Sequence, residues 1–226
     1  MLRLGDEAPN FNAETTLGRI NFHEFLDKSW GVLFSHPADF TPVCTTELAK
    51  VATMKQEFES RNVKVAAYSC DSVESHVKWI ADIEKYANES IGDSEGYKVW
   101  YPIIDGSDRK VAGLYGMIDN LDNLQDAKGL PLTVRSVFIV SPDKRIRCII
   151  TYPASTGRNF DEIVRVIDSL QLAPKHGLAT PQNWKKGDKC VVLPNVSDED
   201  AKAKFGEFEK KFDYMRLVED GNIPEY

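Results

Sequence analysis

The sequence predicts an α/β fold: a mixed sheet flanked by helices, followed by a C-terminal extension. Three observations carry this. Short apolar runs alternate with helical periods between residues 31 and 106, two β-rich runs meet at a turn near residue 142, and the composition changes after Leu172. "GVLFSH" (31–36) has the length and flanks of a buried strand. "PVCTTELAKVATMKQEFESRN" (42–62) then places Val43, Leu48, Val51, Met54 and Phe58 on one helical face. "VKVAAYS" (63–69) is again strand-like. "SVESHVKWIADIEKYA" (72–87) repeats the helical period through Val73, Val77, Ile80 and Ile83. "YPIIDG" (101–106) is a third short strand, with Gly106 marking a turn. "RSVFIVSPDKRIRCIITYP" (135–153) is a hairpin around "SPDK", and "GRNFDEIVRVIDSLQL" (157–172) is a helix that gathers Phe160, Ile163, Val164, Ile167 and Leu170 on one side.

Strand, helix, strand, helix, then hairpin and helix is the thioredoxin-like order. Beyond Leu172, "APKHGLATPQNWKKGDK" is rich in Pro, Gly and Lys and reads as an irregular linker. "CVVLP" (190–194) suits one strand, and "SDEDAKAKFGEFEKKF" (197–212) a helix with Ser197 as N-cap and acids in its first turn. The expected organisation is therefore a domain over 1–172 and an extension over 173–226. Roughly fifty residues rarely fold alone, so the extension is expected to pack on the main domain or on a second subunit.

The 226 residues are 42% hydrophobic and 28% charged, as in soluble globular chains. A net charge of −7 argues against nucleic acid or an anionic membrane as partner. No apolar run reaches the ~20 residues that span a bilayer. "MLRLGDEAPNFN" lacks an apolar signal core and "IPEY" is no retrieval or peroxisomal tag, so the expected location is the cytoplasm, with an organelle as the other option. Cys44, Cys70, Cys148 and Cys190 form no C-x-x-C pair and no cluster with His23, His36, His76 and His176, so neither a metal nor another cofactor is expected. Thioredoxin-type disulfide exchange lacks its motif as well, with Thr41 where the first cysteine would stand. Scattered cysteines in a reducing compartment are mostly inert, so a reactive one must occupy a special environment.

The strand–helix joint "FSHPADFTPVCTTE" (34–47) offers one. With Thr41 as N-cap and Pro42 as the first helical residue, Cys44 falls at the third helical position, where a capping box would hold a carboxylate. A thiolate there faces the same unpaired backbone N–H groups, and helix N-termini are among the environments that favour thiolate over thiol. The Thr41 hydroxyl can reach either those N–H groups or a molecule approaching the sulfur. Pro37 and Pro42 stiffen the loop. On spacing alone, a small buried helix residue at Cys44 explains the sequence equally well.

The motif P-x-x-x-T-x-x-C, here Pro37, Thr41 and Cys44, resembles the active-site signature of the peroxiredoxins, and "SHPADFTPVCTTEL" is similar to their one-cysteine class. "SCDSVESHVKWI", "GLPLTVRSVFIVSPDK", "YPASTGRNFDEI" and "LATPQNWKKGDK" extend the resemblance in order from about residue 4 to beyond residue 190. It implies a thiol peroxidase of thioredoxin fold whose extension takes part in a homodimer. Cys44 would be the peroxidatic cysteine, Thr41 would orient the peroxide, Arg135 would support thiolate and transition state, and Pro37 would shield the sulfur. Sequence distance is no obstacle for Arg135, because neighbouring strands bring the start of 135–141 near the strand before Cys44. Weaker assignments are Glu47, one turn past Cys44 and able to hold Arg135, Arg158 as a second arginine, and His36 near the thiolate.

No resolving "V-C-P" segment is present, so the resemblance implies an external thiol reductant such as glutathione, with Cys190 as the rival resolving residue. Some members also carry a phospholipase site, and its residue types recur at Ser29, His23 and Asp143. The flanking "DKSWG" puts Asp27 where a nucleophile elbow needs glycine. A non-enzymatic holdase or redox-sensing dimer is the alternative of a different class.

Overall fold

The computed structural model describes residues 1–91, 96–118 and 125–223, so the last three residues of the expected extension lie outside it. The chain opens with a two-stranded ribbon, β1 (Asn12–Ala13) and β2 (Ile20–Asn21), and helix α1 (Phe22–Leu26), capped by the Asn21 side chain. None of these was read from the sequence, because each is too short to display a period. Strand β3 (Trp30–Ser35) follows. The single helix expected over 42–62 is two, α2 (Pro42–Thr53) and α3 (Lys55–Glu59). At Met54 the backbone leaves helical geometry (φ −102°, ψ 21°) and its N–H bonds three residues back to Val51. Met54 and Phe58 are both buried after this break.

Strand β4 (Val63–Tyr68) and helix α4 (Val73–Tyr86) lie where expected, with Ser72 capping α4. Strand β5 shrinks to Ile103–Ile104. Helix α5 (Lys110–Tyr115), unread in the sequence, is bracketed by left-handed residues Arg109 (φ 58°) and Gly116 (φ 64°). Strands β6 (Arg135–Val140) and β7 (Ile146–Tyr152) form the expected hairpin. Helix α6 (Phe160–His176) runs four residues into the expected linker, before Gly177 at φ +70°.

By compactness the chain divides into Met1–Phe160 and Asp161–Tyr226. In the first, a five-stranded sheet has the order β5-β4-β3-β6-β7, with β3, β4 and β5 parallel and β6 and β7 antiparallel to their neighbours. Alternate residues Leu33, Ala66, Tyr68, Phe138 and Val140 pack on one face with Phe22 and Leu26 of α1 and Val111, Ala112 and Tyr115 of α5. Their neighbours Val32, Phe34, Val65, Ala67, Val137 and Ile139 are equally buried. That two-sided burial explains why these strands read as continuous apolar runs instead of alternating ones.

In the second unit, strands β8 (Leu178–Ala179), β9 (Cys190–Val192), β10 (Glu209–Phe212) and β11 (Met215–Val218) form a sheet in the order β10-β11-β9-β8. Helix α7 (Asp198–Phe205) carries the expected Ser197 cap but stops at Gly206 (φ 74°), so residues 209–212 are strand and not the helix expected there. Leu172, Leu178, Trp184, Cys190, Val192, Ala201, Phe205 and Val218 form this unit's own apolar cluster.

Gly106, just beyond β5, lies where a Cβ would come within 1.9 Å of the Ser69 carbonyl oxygen and 2.5 Å of the Tyr68 ring. Backbone cannot yield as a flexible side chain does, so Gly106→Ala is expected to cost about 1–3 kcal/mol, as overpacking of well-packed sites does. A lowered urea-unfolding midpoint checks this, and an unchanged midpoint refutes it.

Candidate active site

Strand β3 delivers the chain to the site. Its pairing with β6 runs to Phe34↔Val137, and there a side chain takes over from the ladder. The Ser35 hydroxyl donates to the Val134 carbonyl (2.6 Å) and accepts from the Ser136 N–H (3.1 Å), the two backbone groups that flank Arg135. The loop 36–40 then turns into α2. Thr41 has N-cap backbone geometry (φ −113°, ψ 146°) and Pro42 is the first helical residue, as the sequence implies.

The Thr41 hydroxyl does not cap the helix. It donates instead to the Ala38 carbonyl at 2.8 Å. The first turn of α2 contains no acid and receives no side-chain cap, so its N–H groups, which have no intrahelical acceptors, keep their partial positive charge for the site. Cys44 sits in this turn with its side chain fully buried.

Arg135, the first residue of β6, places Nη1 at 3.5 Å from Cys44 Sγ and at 2.7 Å from Glu47 Oε2, and its Nε donates to the Ala154 carbonyl at 2.8 Å. Arg158 clasps the same carboxylate more completely: its backbone N–H donates to Oε1 (2.7 Å), Nε to Oε1 (3.0 Å) and Nη2 to Oε2 (2.7 Å), while Nη1 donates to the Ser136 carbonyl (3.0 Å). The Arg158 guanidinium also lies over the Phe34 and Phe160 rings, 5.1 and 5.6 Å from their centroids. Glu47, Arg135 and Arg158 are all buried. Burial pushes the Glu47 carboxyl up, but the hydrogen bonds and charge of Arg158, helped by Arg135, more than reverse this and hold it below its ordinary value. Two guanidiniums thus share one carboxylate, and an anionic Cys44 sulfur would balance the surplus positive charge.

Pro37 is buried beside these groups in the chain, and His36 is fully buried. His36 Nε2 lies 3.1 Å from Asp39 Oδ1, and its Nδ1 has no partner among the described residues. Burial lowers its pKa below 6.5, against the opposing pull of Asp39. Asp39 was not identified from the sequence. It also receives His76 Nδ1 (2.8 Å) and the Ser75 hydroxyl (2.8 Å), and its own N–H donates to Asp71 Oδ2 (2.9 Å). Burial raises the Asp39 carboxyl, but hydrogen bonds from the two histidines hold it well below the usual carboxylate range. The facing atoms of His36, Asp39 and His76 are of metal-ligand type, and here they hydrogen-bond one another.

The residues of the conceivable phospholipase site are not brought together. His23 Nε2 is 2.7 Å from the Ala8 carbonyl, an acceptor that requires the proton on that nitrogen, so Nε2 cannot serve as base. The Ser29 hydroxyl donates to Asn62 Oδ1 (2.8 Å), and exposed Asp143 accepts from Ser141. No hydrogen bond among the described residues joins any two of the three.

No disulfide joins the four cysteines. Burial pushes the thiols of Cys70 and Cys190 up to about 11, which makes both poor nucleophiles at neutral pH. Cys148, on the outer strand β7 of the sheet, is partly exposed.

Comparison with known proteins places the whole chain among relatives. Residues 4–149 match the model of the AhpC/TSA family, and residues 169–207 match the C-terminal domain of 1-Cys peroxiredoxin. The chain is 55% identical to peroxiredoxin-6 of Rattus norvegicus over 204 residues, covering 90% of this chain and 88% of that one. Among solved structures, a cysteine-to-serine mutant of peroxiredoxin 6 of Arenicola marina superposes with a TM-score of 0.90 at 45% identity, covering 97% of this chain and 99% of that one. A yeast mitochondrial 1-Cys peroxiredoxin, solved to explain its thiol resolving mechanism via glutathione/thioredoxin systems, gives a TM-score of 0.84 at 48% identity, covering 97% and 100%.

Because Glu47 is held below its ordinary value of 4.5, its contribution to stability is complete above that pH and is lost as pH falls through its lower folded value. Glu47→Gln removes this part of the acid slope. It also leaves two buried guanidiniums without their carboxylate, at an expected cost of about 3–5 kcal/mol. Unfolding free energy measured from neutral to acid pH reads both effects, and an unaltered slope would refute the assignment.

Proposed function

The chain belongs to the AhpC/TSA family, in the one-cysteine class of the peroxiredoxins, and is a thiol peroxidase; from that membership we propose that Cys44 is its peroxidatic nucleophile, served by Arg135, Thr41 and Pro37. The observation that carries this reading is the 3.5 Å approach of Arg135 Nη1 to Cys44 Sγ, made by a guanidinium already fixed on Glu47 and the Ala154 carbonyl. A donor held from two sides does not need to reorganise as charge develops, which is the condition for electrostatic stabilisation of a transition state.

In the proposed reaction the Cys44 thiolate attacks one peroxide oxygen in line with the O–O bond. The S–O bond forms as O–O breaks, and the departing oxygen takes a proton and leaves as water or, from an organic or lipid hydroperoxide, as alcohol. Cys44 is left as sulfenic acid. Because the Thr41 hydroxyl gives its proton to Ala38, its lone pairs are what it offers the substrate, so Thr41 accepts from the peroxide O–H and orients the molecule. Pro37, buried in the same loop, keeps bulk water from the sulfur. Glu47 and Arg158 hold Arg135 in place.

The cycle closes with an external thiol, glutathione or a similar reductant. One thiol displaces the sulfenic oxygen as water to form a mixed disulfide, and a second releases Cys44 as thiol with formation of the reductant's disulfide. The raised pKa of Cys70 and Cys190 favours this route over internal resolution. The protein is proposed to act as a homodimer. Its proposed location is the cytoplasm or an organelle. No helix among the described residues is long and apolar enough to cross a membrane.

Cys44→Ser is expected to abolish peroxide consumption, while Cys70→Ser, Cys148→Ser and Cys190→Ser retain it. A holdase or sensing role predicts instead that the Cys44→Ser protein keeps its cellular function. Arg135→Met should lower the rate of Cys44 oxidation by about 10²–10³-fold, the usual effect of removing one transition-state donor. Mass spectrometry without reductant should find one oxygen on Cys44 after one equivalent of peroxide and two after a further equivalent. A disulfide, or turnover by the Cys44→Ser protein, would overturn the reading.

A further inference from the structure

We propose that helix α4 positions the peroxide-binding loop, with Asp39 and His76 as positioning residues that hold residues 37–41 and the first turn of α2 around Cys44. The inference rests on Cys44 as nucleophile and extends the machinery to a second helix.

His76 and Trp79 lie three residues apart on α4, so they share one face, and both are fully buried. Each grips a different side of the strand–helix joint. His76 Nδ1 holds Asp39 Oδ2 at 2.8 Å, while its Nε2 lies 3.0 Å from the Ile104 carbonyl at the end of β5. The Ile104 carbonyl can only accept, so Nε2 donates there, and Nδ1 faces the Asp39 carboxylate. Trp79 Nε1 donates to Thr45 Oγ1 at 3.2 Å, and that hydroxyl donates to the Thr41 carbonyl at 2.9 Å. The Trp79 ring also lies against His36 and Phe40, with centroid separations of 5.2 and 6.2 Å. His36, Asp39, Phe40 and Thr41 are thus each tied, directly or through one neighbour, to α4.

The loop needs such restraint. Phe40 has φ +53°, a left-handed conformation unfavourable for a bulky residue, and its side chain is exposed. It gains little from burial, so the residues on each side must over-determine the backbone. Asp39 does so with bonds to His36, His76, Ser75 and Asp71, and Thr41 through Thr45 and Ala38. An apolar residue in place of Asp39 would fill the space without the directional bonds. Burying a carboxylate is costly unless those bonds are made, and here they fix the loop that carries Pro37 and Thr41.

Positioning and mere stabilisation differ in which half-reaction they affect. A peroxide must be aligned by the ordered loop, whereas reduction of the sulfenic acid by a small thiol gains nothing from that alignment. The test uses the full chain with His76→Phe, which keeps ring bulk and removes both ring nitrogens, and Asp39→Asn, which keeps shape and removes charge. Stopped-flow oxidation of Cys44 by hydrogen peroxide is expected to slow at least about tenfold in each. Reduction of pre-formed sulfenic acid by dithiothreitol should not slow. The double variant should be no slower than the worse single one, since both break the same contact. His76→Asn, whose amide can replace the Nδ1 donor, should recover part of the rate.

Wild-type oxidation rates in His76→Phe and Asp39→Asn, or equal slowing of both half-reactions, would overturn the proposal. Should His76→Phe not fold, Asp39→Asn and Ser75→Ala carry the same comparison. Peptide mapping separates the two levels of inference: oxidation at a residue other than Cys44 defeats the assignment of the nucleophile. Unchanged rates with oxidation at Cys44 defeat the positioning role alone.

Discussion

A buried carboxylate clasped by two guanidiniums is the interaction on which the rest of the site depends. Glu47 cannot be stable at this depth without Arg135 and Arg158, and neither arginine can be buried without Glu47. The fold meets this requirement by drawing the three from separate elements: α2 carries Glu47 one turn past Cys44, β6 begins with Arg135, and the segment before α6 supplies Arg158. Backbone carbonyls of Ala154 and Ser136 and the faces of Phe34 and Phe160 absorb what the carboxylate leaves unmet. The surplus positive charge then falls beside a sulfur. An electrostatic constraint of folding and a need of the proposed chemistry are met by the same atoms.

Around that fixed cluster the loop before α2 is the tethered part. It holds a strained Phe40, a threonine whose proton is already committed, and an aspartate whose partners lie on α4 and at the end of β4. The site therefore has a rigid electrostatic floor and a tethered wall.

The helix start at Thr41–Pro42 and the place of Cys44 in its first turn were legible because capping chemistry is local and leaves a residue-type signature. The adjacency of β3 and β6 was legible from the order of elements. Arg135 and Arg158 were not: a charge within a strand or before a helix has no periodic mark, and only resemblance to a family singled them out. The contact between Asp39 and His76 spans 37 residues and depends on the packing of α4, so no local pattern announces it. The helix misread over 206–212 shows the opposite fault, a run of helix-favouring residues turned into strand by one glycine at φ 74° and a partner strand to pair with. Ser29, His23 and Asp143 had suitable types but nearer partners, and proximity decides which hydrogen bonds form.

Ser35 carries a consequence for how such an enzyme can change. Where the β3–β6 ladder ends, its hydroxyl stands in for the next rung and grips the backbone on both sides of Arg135. A backbone rung is the same for every residue and cannot be edited by substitution. A hydroxyl can be lengthened, branched or removed, and each change would shift the guanidinium relative to the sulfur by a small step while the sheet stays intact. The spacing between guanidinium and sulfur is thus exposed to selection at a single codon, at a residue with no part of its own in the proposed chemistry.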